Sequence, residues 1–143
     1  MFDRLVREVM EQGNALTLSP ETTVSKAAEL MARMEVGAAM VVDQERLIGI
    51  FTERDALFRV IARGLDARTT RLIEVMTTEP RTVAPNKSYG YALVMMQENG
   101  FRHAPVVENG KPIGIVSSRS AMDPELEEFV SEANRREHIR VDR

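Results

Sequence analysis

The residues best equipped for chemistry sit in a phrase that the chain writes twice. Thr52-Glu53-Arg54-Asp55 lies in the first version, IGIFTERDAL at 48–57, and Ser117-Ser118-Arg119-Ser120 in the second, IGIVSSRSAM at 113–122. The second version keeps a hydroxyl and the arginine but loses the carboxylate. A carboxylate only accepts hydrogen bonds, and a pair of neighbouring hydroxyl donors suits it. At a helix start Thr-x-x-Asp is equally a capping box, which satisfies backbone N–H groups with no ligand. Both readings stand for Thr52 and Asp55. Cationic chemistry is offered by Arg102, His103 and Arg119. A guanidinium is a planar, permanently charged donor fork that fits phosphate oxygens. Arg102 also reads as a solvated strand entry, and His103 as a hydrogen-bonded, half-buried histidine.

Catalytic sets are scarce. His103 and His138 are the two histidines and stand far apart in the chain, which argues against a shared metal. Ser117, Ser118 and Ser120 have no evident base, and no Walker loop, Gly-x-Ser-x-Gly or dinucleotide fingerprint occurs. With no cysteine, thiol catalysis, thiolate metal sites and disulfides are excluded. The expectation is a protein that is not an enzyme and requires neither metal nor cofactor.

Positioning these groups falls to a short set of elements. Val24, Ala27, Ala28, Met31 and Met34 follow helical spacing, with Thr22 or Thr23 as N-cap. AAMVV reads as a buried strand, DQER as a turn and LIGIF as a second strand. TERDALFRVIARG follows as a helix, with Leu57, Val60 and Ile61 inward and Gly64 as its stop. Further on, Ser88 caps YGYALVMMQEN and Gly100 ends it; APVV and PIGIV pair through Asn109-Gly110, a tight-hairpin signal.

These two sets are one unit repeated. At a shift of 65 residues, 12 of 42 positions over 16–57 are identical. The string EVM recurs at Glu8–Met10 and Glu74–Met76, shifted by 66. A constant offset over that length marks an internal repeat. A unit of this size buries little surface alone, so the two should share one core. Before the first copy, Phe2, Leu5, Val6 and Val9 form one apolar helical face. After the second, residues 123–138 read as a helix capped by Asp123, with Pro124 at its first turn. That tail is either a solvated helix or, through Leu126, Phe129 and Val130, a subunit contact. The divisions expected are a first repeat at 1–66, a second at 67–122 and a helical tail at 123–143.

The whole chain has 143 residues, 43% of them hydrophobic and 29% charged, with a net charge of −3. That balance suits an ordinary globular domain and gives no general attraction to nucleic acid or membranes. The N-terminus lacks a signal peptide's apolar core, and no run approaches the ~20 apolar residues of a membrane span. A cytoplasmic protein is expected.

In order, spacing and duplication, VREVM and LIEVM, LTLSPETTVSKAAELM, GAAMVVD, FRHAPVVENGKPIGIVS and IGIFTERDAL resemble a tandem of CBS domains, the cystathionine-beta-synthase type of regulatory repeat. The resemblance covers roughly residues 3–122. It implies an α+β fold: two pseudo-symmetric helix-strand-strand-helix repeats packed sheet to sheet, with flanking N- and C-terminal helices. It implies two symmetry-related clefts, which in many members hold adenine nucleotides or adenosyl ligands, and pairs that often dimerise into a flat disc. Gly49-Ile50-Phe51-Thr52-x-x-Asp55 matches the family's Gly-apolar-x-Thr-x-x-Asp, in which the Thr faces a phosphate and the Asp holds ribose hydroxyls. Residues at the places of Arg102, His103 and Arg119 lie near phosphates in such proteins.

On that pattern Ile50, Thr52, Asp55, Arg102, His103 and Arg119 make one competent cleft. Ser117 and Ser120, with Gly37, Ala38 and Arg54, make a weaker one without the carboxylate. The function expected is a regulatory module that senses an adenine nucleotide (AMP, ATP or NAD) and acts on an effector protein or on its own homodimer. The alternative is a ligand-free dimerisation scaffold. A nucleic-acid binder, suggested weakly by Arg135, Arg136, His138, Arg140 and Arg143, runs against the acidic whole.

Overall fold

The computed structural model describes residues 2–11 and 15–119, and positions 132, 133 and 135. Ser120 and almost all of the expected tail helix at 123–138 lie outside the described residues. In chain order the elements are α1 (Val6–Val9), β1 (Thr17–Leu18), α2 (Val24–Met34), β2 (Ala38–Asp43), β3 (Arg46–Thr52) and α3 (Glu53–Asp55). A π-helical stretch, Ala56–Ile61, continues α3. Then come α4 (Leu72–Val75), β4 (Thr77–Thr78), α5 (Tyr89–Asn99), β5 (His103–Glu108) and β6 (Lys111–Ser117).

The repeat expected from sequence is present down to its irregularities. Ala38 pairs with Thr52 and His103 with Ser117, each the first rung of an antiparallel hairpin. Each hairpin slips register at the same place, between Val41 and Val42 and between Val106 and Val107. Thr23 Oγ1 accepts from Lys26 N and Ser88 Oγ from Tyr91 N, capping α2 and α5 alike. The first sheet runs β1-β2-β3-β4. In the second, β5-β6 is flanked by single bridges, Val83 to Val106 and Glu11 to Ile115. These bridges stand where β1 and β4 stand in the first sheet. The sheets meet through Ala38, Met40, Ile50 and Ile115, so Ile50 and its repeat-equivalent Ile115 share one apolar cluster.

Packing crosses the expected boundary at 66. α1 precedes the first repeat yet buries Val6 and Val9 among Val83, Tyr89, Ala92 and Met96 of the second. α4 buries Leu72 and Val75 among Val24, Ala27, Met31 and Phe51 of the first. The hydrogen bonds are reciprocal. Val6 N donates to Lys87 O at 2.7 Å and Leu72 N to Thr22 O at 2.8 Å; Arg7 N donates to Pro85 O and Ile73 N to Pro20 O. Gly49 and Gly114 leave room for the methionines that follow these turns. A Cβ on Gly114 would stand 2.9 Å from Met10 Sδ and 3.0 Å from Glu11 O, and one on Gly49 would collide with Met76.

Two expected apolar faces are corrected. α1 is a single turn, so Phe2 and Leu5 precede it and are exposed. After α3, only Val60 of the expected inward set is buried, while Leu57, Phe58 and Ile61 are 52%, 54% and 69% exposed. The π-helical turns are wider than α-helical ones, so the 3.6-residue spacing used to choose the inward set does not apply. The turn brings Arg59 inward instead, where Nη1 donates to Val75 O (3.4 Å) and Met76 O (3.1 Å) at the end of α4. Gly64 ends the helix at φ +69°, as expected.

Candidate functional site

Where β2 begins and β3 ends, the chain backbone closes on itself: Glu53 N donates to Gly37 O at 3.0 Å. The second repeat does the same, with Ser118 N donating to Arg102 O at 3.0 Å. Between these closures opens a cleft of about 410 Å³, within the size range of small-molecule sites. Gly37, Ala38 and Glu53 line it from one repeat, and Arg102, His103, Ser117, Ser118 and Arg119 from the other. Gly37 and Arg102, Ala38 and His103, and Glu53 and Ser118 are repeat-equivalents. The cleft therefore straddles the pseudo-two-fold relation between the repeats.

This cleft brings together residues from both of the groups expected from sequence. Arg102, His103 and Arg119 share a cleft with Gly37, Ala38 and Ser117, which had been assigned to the other one. Thr52 and Asp55 do not line it. They form the capping box: Thr52 N donates to Asp55 Oδ2 at 2.9 Å and the Thr52 hydroxyl at 3.1 Å, while Asp55 N lies 3.3 Å from Thr52 Oγ1. The other carboxylate oxygen is 3.4 Å from Arg59 Nε. Asp55 is buried, and its oxygens are engaged in holding α3 to the end of α4. Ile50 is buried between the sheets. Arg54 lies over the Phe58 ring, 4.9 Å from its centroid.

The cleft's charges are asymmetric. Among the described residues, neither the Arg102 nor the Arg119 side chain makes an ion pair or hydrogen bond. Arg119 N donates to Ser117 Oγ at 3.1 Å, turning the chain at the cleft's edge. His103 packs against the bare backbone of Gly37: a Cβ there would stand 3.3 Å from both His103 Nε2 and Glu53 Oε1. Burial holds the His103 imidazole below its ordinary pKa; Glu53 pulls it back up, and Arg102 and Arg119 push it further down. Glu35 and Glu11 also line the cleft, Glu35 from a left-handed position (φ +56°) where the second repeat has Gly100.

Sequence reasoning placed none of Glu53, Glu35, Glu11 and Ser118 in a cleft. The first and last were legible, since each directly follows a hydroxyl residue of the duplicated phrase. Among the described residues no group of three His, Cys, Asp or Glu side chains could hold a metal ion. No described helix is long and apolar enough to cross a membrane.

Residues 6–62 and 72–124 each match the profile of the CBS domain. The chain belongs to the CBS-domain family. It is 40% identical over 101 residues to the CBS domain-containing protein YhcV of Bacillus subtilis, covering 71% of each chain. It is 33% identical over 143 residues to the meiotically up-regulated gene 70 protein of Schizosaccharomyces pombe, matching 85% of this chain but only 20% of that one. In fold it resembles the CBS domain protein PAE2072 of Pyrobaculum aerophilum complexed with AMP. There the TM-score is 0.76 at 24% identity, over 89% of this chain and 98% of the other. CBS pairs are regulatory modules that often bind adenosyl ligands.

Proposed function

We infer that this CBS pair is a ligand-sensing regulatory module, and that the cleft across its two repeats takes an adenine nucleotide or related adenosyl ligand. The observation that carries this reading is the pair of guanidiniums, Arg102 and Arg119, unengaged among the described residues and lining a cleft of small-molecule size with His103. A guanidinium without a carboxylate partner is ready for a phosphate and needs no prior bond broken. Ser117 and Ser118 add hydroxyls beside it. That the fold can hold AMP is the property of the Pyrobaculum protein; in this chain the case rests on the cleft itself.

The family's ribose role for Asp55, with Thr52 and Ile50 beside it, is a separate proposal. Asp55 would have to exchange Thr52 or Arg59 for the ribose hydroxyls. The output is a change in a partner chain or in the protein's own assembly.

Isothermal titration with AMP, ATP and NAD tests the reading. At least one should bind, and Arg102→Ala with Arg119→Ala should weaken it by roughly tenfold or more, as for lost charged hydrogen bonds. No binding by any of the three, or binding indifferent to both arginines, would sink it.

A scaffold reading draws on a different observation, the exposed row Leu57, Phe58 and Ile61. Such a patch suits contact with a second copy. Light scattering of the wild type and of Phe58→Glu separates the readings: a dimer lost in the variant with nucleotide binding intact assigns the two functions to different faces.

A further inference from the structure

We propose that the cleft takes its anionic ligand together with a proton, which His103 carries. This rests on the cleft being the ligand site. His103 lies at the first rung of β5, against Gly37, in the part of the cleft shared by both repeats. The charged groups facing it are Glu53 from the start of α3, Arg102 beside it before β5 and Arg119 after β6. Glu35, after α2, and Glu11 line the same cleft.

In the free protein the imidazole is half-buried and has two guanidiniums for neighbours, both of which oppose its protonation. Glu53 is the countering group, and its carboxylate oxygen borders the same contact point on Gly37 as the ring. A phosphate drawn to Arg102 and Arg119 changes that balance. It neutralises the two cations that disfavour the imidazolium and adds negative charge beside the ring. The neutral imidazole then takes a proton from solvent and becomes a third donor. No bond other than N–H is made. Ala38, the repeat-equivalent of His103, has no such chemistry, so this proton belongs to one side of the cleft.

The test is direct because the chain has two histidines. The imidazole Cε1–H resonances of the full-length protein are followed from pH 4.5 to 8.5 by NMR, with a His138→Asn variant giving the assignment. Without ligand, the His103 midpoint should lie below that of an ordinary histidine, and Glu53→Gln should lower it further. Saturating AMP should raise it by about one unit, the size of shift an adjacent opposite charge produces. AMP that binds and leaves the His103 midpoint unmoved or lower overturns the proposal, as does a free midpoint indifferent to Glu53→Gln. Failure of AMP, ATP and NAD to bind at all removes the regulatory reading first and this inference with it.

Discussion

Asp55 is the residue on which the two readings of the duplicated phrase diverge. Its carboxylate accepts from Thr52 and holds Arg59, which in turn grips the carbonyls of Val75 and Met76. Asp55→Ala should therefore lower stability by about 1–3 kcal/mol, the cost of leaving buried donors unmet. Urea unfolding reads this, and a change of only a few tenths would return Asp55 to the ligand. His103 makes a second prediction. Its folded pKa is depressed by burial, so the unfolded chain binds more protons as pH falls below its ordinary value of 6.5. Stability should be full above that pH and decline as pH falls toward the folded value. His103→Asn should flatten this part of the profile in denaturant titrations between pH 5 and 8. Thr-x-x-Asp was legible as a cap and as a ligand motif, and spacing could not choose. The choice depends on Arg59, which reaches residues 16 and 17 positions away.

At the scale of elements, the caps and hairpins were legible because each is decided locally. Ser88, Thr23, Gly100 and Asn109-Gly110 act within three or four residues of themselves. The buried face of the helix after β3 is not legible from a 3.6-residue period, because its turn is π-helical. The strain at the end of α2 is also an element property. Glu35 adopts φ +56°, where the equivalent Gly100 adopts +73°. Glu35→Gly should stabilise the protein by about 0.5–1 kcal/mol by relieving a left-handed side-chain residue. Thermal unfolding would show it, and a loss of stability would mean that the carboxylate itself has a structural partner. Gly114 works in the opposite sense. Gly114→Ala places a methyl against Met10 and the Glu11 carbonyl, and overpacking of this kind costs about 1–3 kcal/mol.

Across the whole molecule, the repeat was legible and the exchange of entry turns was not. The shift of 66 for EVM against 65 for the rest was its only trace, showing that the entry segment is registered separately from the body of the repeat. The cleft was half legible: its cations were found, but their grouping needed to know that equivalent residues meet across the repeats. Because α1 serves the second core and α4 the first, neither repeat is complete without the other. Heating should give one cooperative transition, with calorimetric and van't Hoff enthalpies equal. Two resolved transitions would count against this mutual dependence of the two cores. The same crossing has a consequence for a broken chain. Residues 63–66 are exposed, and a cut there severs the sole covalent link while each half still holds a turn that the other lacks. A nicked molecule should stay clasped. Two separately expressed pieces should find each other and restore the whole, which makes the chain a natural split reporter.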